Sequence, residues 1–360
     1  MPKIDELLAI VKSANATDLH LVSGSVPMVR LEGQLERTQH RELSHGEIKQ
    51  LIYELLSDQQ IRRFERSGDL DLSYGIPDLA RFRLNIYQTM SGIGAAIRII
   101  PDQPRTLSEL GFPDAVAKLA ESKSGLVLVT GPTNSGKTTT LAAMVEHINA
   151  NFSRHIITLE DPIEYIHANK NSLISQRQIG THSDSFAAAL RAALREDPDV
   201  VLVGEMRDIK TISLAITAAE TGLLVMGALH TSSATATVDR IIDVFPADQQ
   251  QQIRIMLADS ISGIVCQQLL KRHDGNGRVV AYELMLRSTP AASKIRECKS
   301  HQLGTVIRTG RKRGMQLLDN HLRKLAESGI ISATEAIRCA NEPSRFYSML
   351  PKEQTQEVGA

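Results

Sequence analysis

Apolar positions recur along this chain with two different periods, and the change from one to the other divides it. Near the start, Ile4, Leu7, Leu8 and Val11 fall on one helical face, with Asp5 and Glu6 in the first turn. Residues 18–22 read as strand, and residues 26–35 read as strand and turn around Gly33. Ser44 and Glu47 stand at capping-box spacing ahead of a helical stripe, Ile48, Leu51, Ile52 and Leu55. Residues 81–86 and 96–99 then alternate as strands, with Ser91-Gly92-Ile93-Gly94 as the turn between them. Together these elements predict a small α+β domain over residues 1–100.

Pro101-Asp102-Gln103-Pro104 stops regular structure and stiffens the chain, which predicts a linker over 101–112. From 113 onward short apolar runs at 126–130, 156–159, 200–203 and 223–229 alternate with helical stretches. That order predicts an α/β domain over 113–360 with a mostly parallel, doubly wound sheet. Beyond residue 245 the pattern is mainly helical, the last ten or so residues read as disordered, and there are no internal repeats.

Composition narrows the function classes. Lys plus Arg equals Asp plus Glu at 41 each, and the chain has no Trp, 6 Tyr and 7 Phe. Neither a basic excess nor a stacking platform points to nucleic acid. Cys266, Cys298 and Cys339 form no Cys-x-x-Cys pair, which predicts neither a zinc site nor a disulfide framework, and a reducing cytosol as the compartment. The apolar runs are strand-length and the N-terminus is not a signal peptide. Membrane contact is therefore expected through a partner and not by insertion.

The chemistry begins at Gly131-Pro132-Thr133-Asn134-Ser135-Gly136-Lys137-Thr138, which fills every fixed position of G-x-x-x-x-G-K-[ST]. An apolar strand precedes it and a helix starting at Thr138 follows, with residues 131–138 and Thr139 as the expected nucleotide-binding residues. In that context the loop amides and the helix N-terminus cradle phosphates, Lys137 reaches the β- and γ-phosphates, and the Thr138 hydroxyl ligates Mg²⁺. ATP and Mg²⁺ are the expected ligands.

Hydrolysis needs a carboxylate at a neighbouring strand end. Residues 199–205 form an apolar strand ending in Gly204-Glu205, and Glu205 is expected to position the attacking water or the metal; the alternative is an exposed strand-end glutamate. Glu160-Asp161-Pro162-Ile163-Glu164 follows another strand and makes Glu164 the second candidate for metal or water, against a surface acidic cluster. His230 ends the 223–229 strand, either as a γ-phosphate sensor or as a histidine satisfied in the core. Arg83 and Arg98 lie far from the loop in sequence and read, on residues alone, as surface strand residues.

These motifs, in this order, resemble the secretion-type ATPases from about residue 3 to about residue 340. The chain is most similar to the PilT-type branch, the type IV pilus retraction (twitching motility) ATPases. Residues 13–21, Arg81-Phe82-Arg83, Ile295-Arg296-Glu297 with His301-Gln302, and Gly314-Met315-Gln316 carry that likeness. The resemblance implies a PAS-like N-terminal domain before a RecA-like P-loop ATPase domain, working as a homohexamer. It implies that Arg83 and Arg98 reach a neighbouring nucleotide and that His230 senses phosphate. It further implies a location at the cytoplasmic face of the inner membrane, on a polytopic platform protein, alongside related motor paralogues.

Three departures stand out. Asn134 replaces a glycine, Ser232-Ser233 replaces Asn-Ser, and Ala291-Ala292-Ser293-Lys294 differs from the family's retraction element. Asparagine tolerates positive φ best among non-glycine residues, so the loop is expected to form. The last departure leaves open an accessory motor of the PilU type. An assembly or type II secretion ATPase is another alternative, and a nucleic-acid motor a third.

Overall fold

Strand alternation organises the first part of the chain. The computed structural model describes residues 2–350 except 15, 32–33, 78 and 101–103. The linker expected at residues 101–103, the turn expected at Gly33 and the disorder expected at the C-terminus fall on residues 101–103, 33 and 351–360, which lie outside the described residues. Contacts group the chain into two units, residues 1–103 with Pro162–Ile166, and Pro104–Asp161 with His167–Ala360.

The first unit opens with α1 (Lys3–Ser13), β1 (Asp18–Val22), β2 (Met28–Leu31) and β3 (Gln34–Arg37). It continues with α2 (His45–Tyr53), α3 (Asp58–Ser67), β4 (Asp69–Ile76), β5 (Ala80–Thr89) and β6 (Gly92–Ile100). The six strands pair antiparallel throughout in the order β3-β2-β1-β6-β5-β4. Ser44 and Glu47 form the expected capping box on α2. Along β5, Ala80, Phe82, Leu84 and Ile86 turn into the core while Arg81, Arg83, Asn85 and Tyr87 face outward. The helices contribute Ile4, Leu8, Ile48, Ile52 and Phe64 to the same core.

That alternation puts Arg83 and Arg98 on one face, directly opposite each other in the β5–β6 register. Two like charges in such a cross-strand pair are unfavourable unless neutralised, and both are. Arg98 Nε donates to Asp18 Oδ1 at 2.8 Å from β1, and Arg83 Nη1 donates to Glu164 Oε1 at 3.1 Å.

In the second unit, α4 (Asp114–Glu121), β7 (Gly125–Thr130), α5 (Lys137–Asn151), β8 (His155–Glu160) and β9 (Leu173–Gln178) come first. Then follow α6 (Phe186–Ala193), β10 (Val200–Val203), α7 (Ile209–Glu220), β11 (Leu224–Leu229), α8 (Ala234–Asp243) and α9 (Ala247–Ser260). After β12 (Ile261–Lys271) and β13 (Arg278–Leu286) come α10 (Thr289–Arg296), α11 (Leu303–Thr309), α12 (Leu318–Glu327) and α13 (Ala333–Cys339). The sheet order is β13-β12-β7-β11-β10-β8-β9, parallel except for β13 against β12. Leu126 and Leu128 of β7 pack on one face with α6 to α11, and Val127 and Val129 pack on the other with α4 and α5. A strand covered on both faces reads as an unbroken apolar run, as β7 does.

Several expectations need correction. The mainly helical reading beyond 245 omits two long strands, β12 and β13, although Asp274-Gly275-Asn276-Gly277 between them is a hairpin signal, with both glycines at positive φ. The turn expected over 91–94 is narrower, because β6 begins at Gly92, paired with Thr89. The 104–112 stretch is not solvated spacer: Leu107 and Phe112 are buried in the second unit's core.

Burial raises the Asp18 pKa, but the Arg98 and Thr17 hydrogen bonds outweigh it and hold the carboxyl below its ordinary value. A depressed folded-state pKa stabilises above the unfolded value, about 3.9, and that contribution is lost as pH falls through the lowered one. Asp18→Asn should therefore unfold more easily than wild type at pH 7, and the two denaturation midpoints should converge as pH drops below about 4. A gap independent of pH would show that the pairing contributes nothing.

Candidate functional site

Parallel strands deliver their C-terminal ends to one edge of the second unit's sheet, where ligands bind in doubly wound folds. β7 leads into the phosphate loop, β10 into Gly204-Glu205 and β11 into His230. The loop's shape depends on residues at positive φ: Gly131 (150°), Asn134 (63°) and Gly136 (86°). Asn134 thus adopts the left-handed conformation that a glycine would otherwise supply. At Gly131 a Cβ would lie 2.2 Å from the Gln267 carbonyl oxygen and 2.6 Å from Ser135 Oγ, so no side chain fits. Pro132 and Thr133 are exposed at the loop's outer turn, and Thr138 and Thr139 begin α5, half-buried.

Lys137 folds back over the loop. Its ammonium donates to the carbonyls of Gly131 and Pro132, both at 2.9 Å, and lies 3.4 Å from His230 Nδ1. Burial lowers its pKa, and Glu205 acts in the opposite direction. With Nδ1 accepting from the ammonium, the His230 proton belongs on Nε2, which lies 2.9 Å from Glu205 Oε1. That carboxylate also pairs with the exposed Arg207 guanidinium. Both contacts are within ion-pair range, yet Glu205 Oε1 is buried and receives no well-aligned hydrogen bond. Lys137, His230 and Glu205 are therefore one connected group.

Glu164 groups with the first unit and binds Arg83, and Arg98 binds Asp18. Glu160, at the end of β8, accepts from Thr158 Oγ1 at 2.6 Å and Gln176 Nε2 at 3.1 Å. Ser233 caps α8 by accepting from Ala236 N, so the Ser232-Ser233 departure keeps a helix start after His230.

Sequence reasoning missed Gln267. Its Nε2 donates to the Ser135 carbonyl at 2.8 Å, tying β12 to the loop. Gln267 Oε1 and Ser135 Oγ, both buried, have no hydrogen-bond partner in the described structure. The glutamine pair Gln267-Gln268 inside the largely apolar stretch 261–270 was the available signal. Glu283 of β13 was also missed. Buried and with its pKa raised by burial, it accepts from Ala234 N at 2.8 Å, at the start of α8.

The loop and the lysine fit the phosphates of a nucleotide, with the Thr138 hydroxyl and the Glu205 carboxylate as the groups that would hold a divalent cation, and comparison with known proteins agrees on the nucleotide. The family model for type II/IV secretion system proteins matches residues 2–346. This chain belongs to that family. Among similar secretion-family proteins is the type IV pilus retraction ATPase PilT of Pseudomonas aeruginosa, 45% identical over 95% of this chain and 99% of that one. A twitching motility protein of Neisseria gonorrhoeae is 48% identical over 87% of this chain and 84% of its own. A crystal structure of the pilus retraction motor PilT with bound ADP superposes with a TM-score of 0.88 at 42% identity, covering 95% and 98% of the two chains. The secretion-family architecture, an N-terminal domain followed by a RecA-like ATPase domain, is thus the architecture of this chain.

Removing the Gln267 donor leaves a buried carbonyl unsatisfied, which costs about 1–3 kcal/mol. Gln267→Leu is expected to weaken ADP binding roughly 5- to 150-fold by calorimetry. Unchanged affinity would show that β12 does not hold the loop.

Proposed function

We propose that this chain is the ATPase motor of type IV pilus retraction. It hydrolyses Mg-ATP as a homohexamer at the cytoplasmic face of the inner membrane and acts on a pilus platform protein. Similarity to retraction ATPases over nearly the full length, at 45% and 42% identity, supports the pilus assignment. The observation that carries the chemistry is the contact chain from Lys137 through His230 to Glu205 at the mouth of the phosphate loop.

Each residue has a part. The loop amides and Lys137 bind the β- and γ-phosphates, the ammonium exchanging two carbonyl partners for phosphate oxygens. Glu205 orients water for attack on the γ-phosphorus and takes its proton as ADP leaves. His230 links the lysine to that carboxylate, so a change at the phosphates reaches the catalytic base. Mg²⁺, held by Thr138 with Glu205 close by, would neutralise charge on the phosphate oxygens. Arg83 or Arg98, from the same or an adjacent subunit, adds positive charge in the transition state. Each would first exchange its present carboxylate, Glu164 or Asp18. Glu164 then becomes available as the second water or metal ligand.

An accessory motor is the second reading, favoured by Ala291 to Lys294. The helix there still forms, capped by Ser288, with Ala291, Ala292 and Ile295 buried and Lys294 3.9 Å from Glu297. The departure therefore alters side chains and not the element.

Glu205→Gln should reduce turnover by about 10²- to 10⁴-fold, while calorimetric ADP affinity stays within a few-fold of wild type. Near-normal turnover in that variant would remove Glu205 from the chemistry.

A further inference from the structure

A cavity of about 300 Å³ opens in the second unit at the opposite end of the sheet from the phosphate loop. Ser262, on its wall, donates to the Ser124 carbonyl beside the start of β7, whereas the loop leaves β7 after Thr130. The six residues between span roughly 20 Å at strand rise, so the cavity and the nucleotide site are separate. Its floor is apolar, built from Ala115, Leu119 and Leu286. Its rim carries Lys118 from α4, Arg287 from the end of β13 and Arg313 from the turn after α11.

Three cations converge there from three elements, and none has an ion pair or side-chain hydrogen bond among the described residues. Several other surface cations of this unit do find a carboxylate. Arg272 pairs with Asp274, Arg296 with Asp259, Lys299 with Glu297 and Arg338 with Glu335. Around Arg313 the sequence accounts for this: from 299 to 318 it holds Lys299, Arg308, Arg311, Lys312 and Arg313 and no carboxylate. In a chain of zero net charge this is a local field that attracts anions. Arginine at two of the three rim positions favours planar oxyanions, which it binds through paired N–H groups.

We propose that this cavity docks an acidic segment of a partner protein, which seats an aliphatic side chain on the floor and places carboxylates against Lys118, Arg287 and Arg313. Charge complementarity selects the anion, and the concave apolar floor selects a peptide side chain over a flat lipid surface. The proposal is independent of the ATPase assignment, because none of these residues belongs to the phosphate site.

The test uses the full chain and a fluorescein-labelled peptide of about a dozen residues repeating Glu-Glu-Leu, with a Gln-for-Glu peptide as control, read by fluorescence anisotropy. Wild type should bind the acidic peptide, with affinity falling as salt rises, and should not bind the control. The double variant Arg287→Glu/Arg313→Glu should lose at least 10-fold in affinity while basal ATP turnover stays unchanged. Lys210→Glu, on α7, should bind as wild type does. No binding by wild type, or equal binding by the double variant, overturns the proposal. So does binding to phosphatidylglycerol vesicles without binding to the peptide, which would assign the patch to lipid. Absent ATP turnover with intact peptide binding would count against the motor assignment alone.

Discussion

The Lys137 ammonium is the constraint on which the site depends. Half-buried at the loop mouth, it must find acceptors, and it takes them from the loop itself and from His230. Carbonyls are weak partners for a cation whose pKa burial has already lowered. A γ-phosphate offers a stronger one. The same ammonium is thus poised to leave its present partners when nucleotide arrives, and because His230 also faces Glu205, its departure reaches that carboxylate.

The fold serves this arrangement by bringing strand ends together. β7, β10 and β11 are adjacent and parallel, so residues separated by some seventy to ninety positions in sequence meet on one edge. β12 completes the support from the other side, with the Gln267 side chain holding the Ser135 carbonyl and its backbone closing the space at Gly131. Glu283, from the neighbouring strand, fixes the start of α8 just beyond His230. In the first unit an analogous economy applies: strand register sets Arg83 beside Arg98, and Asp18 and Glu164 keep that pair from repelling.

What the sequence disclosed follows from how local each signal is. The phosphate loop was fully legible because its chemistry is contiguous, and even Asn134 was readable from its tolerance of positive φ. Glu205 and His230 were legible because apolar strands end at them. Gln267 and Glu283 were not, since their contacts cross more than a hundred and about fifty residues. β12 and β13 were lost because strands buried on both faces lack alternation and resemble buried helix. Arg83 and Arg98 showed only a spacing of fifteen, and the antiparallel register that makes them neighbours is a tertiary fact.

A retraction motor must withdraw pili by ATP turnover at this edge. Deleting the gene in its own host and counting surface pili alongside surface motility tests it most directly. The expected result is cells with excess pili that no longer twitch, restored by the wild-type gene. Bald cells, or cells with unchanged pili and motility, would contradict it.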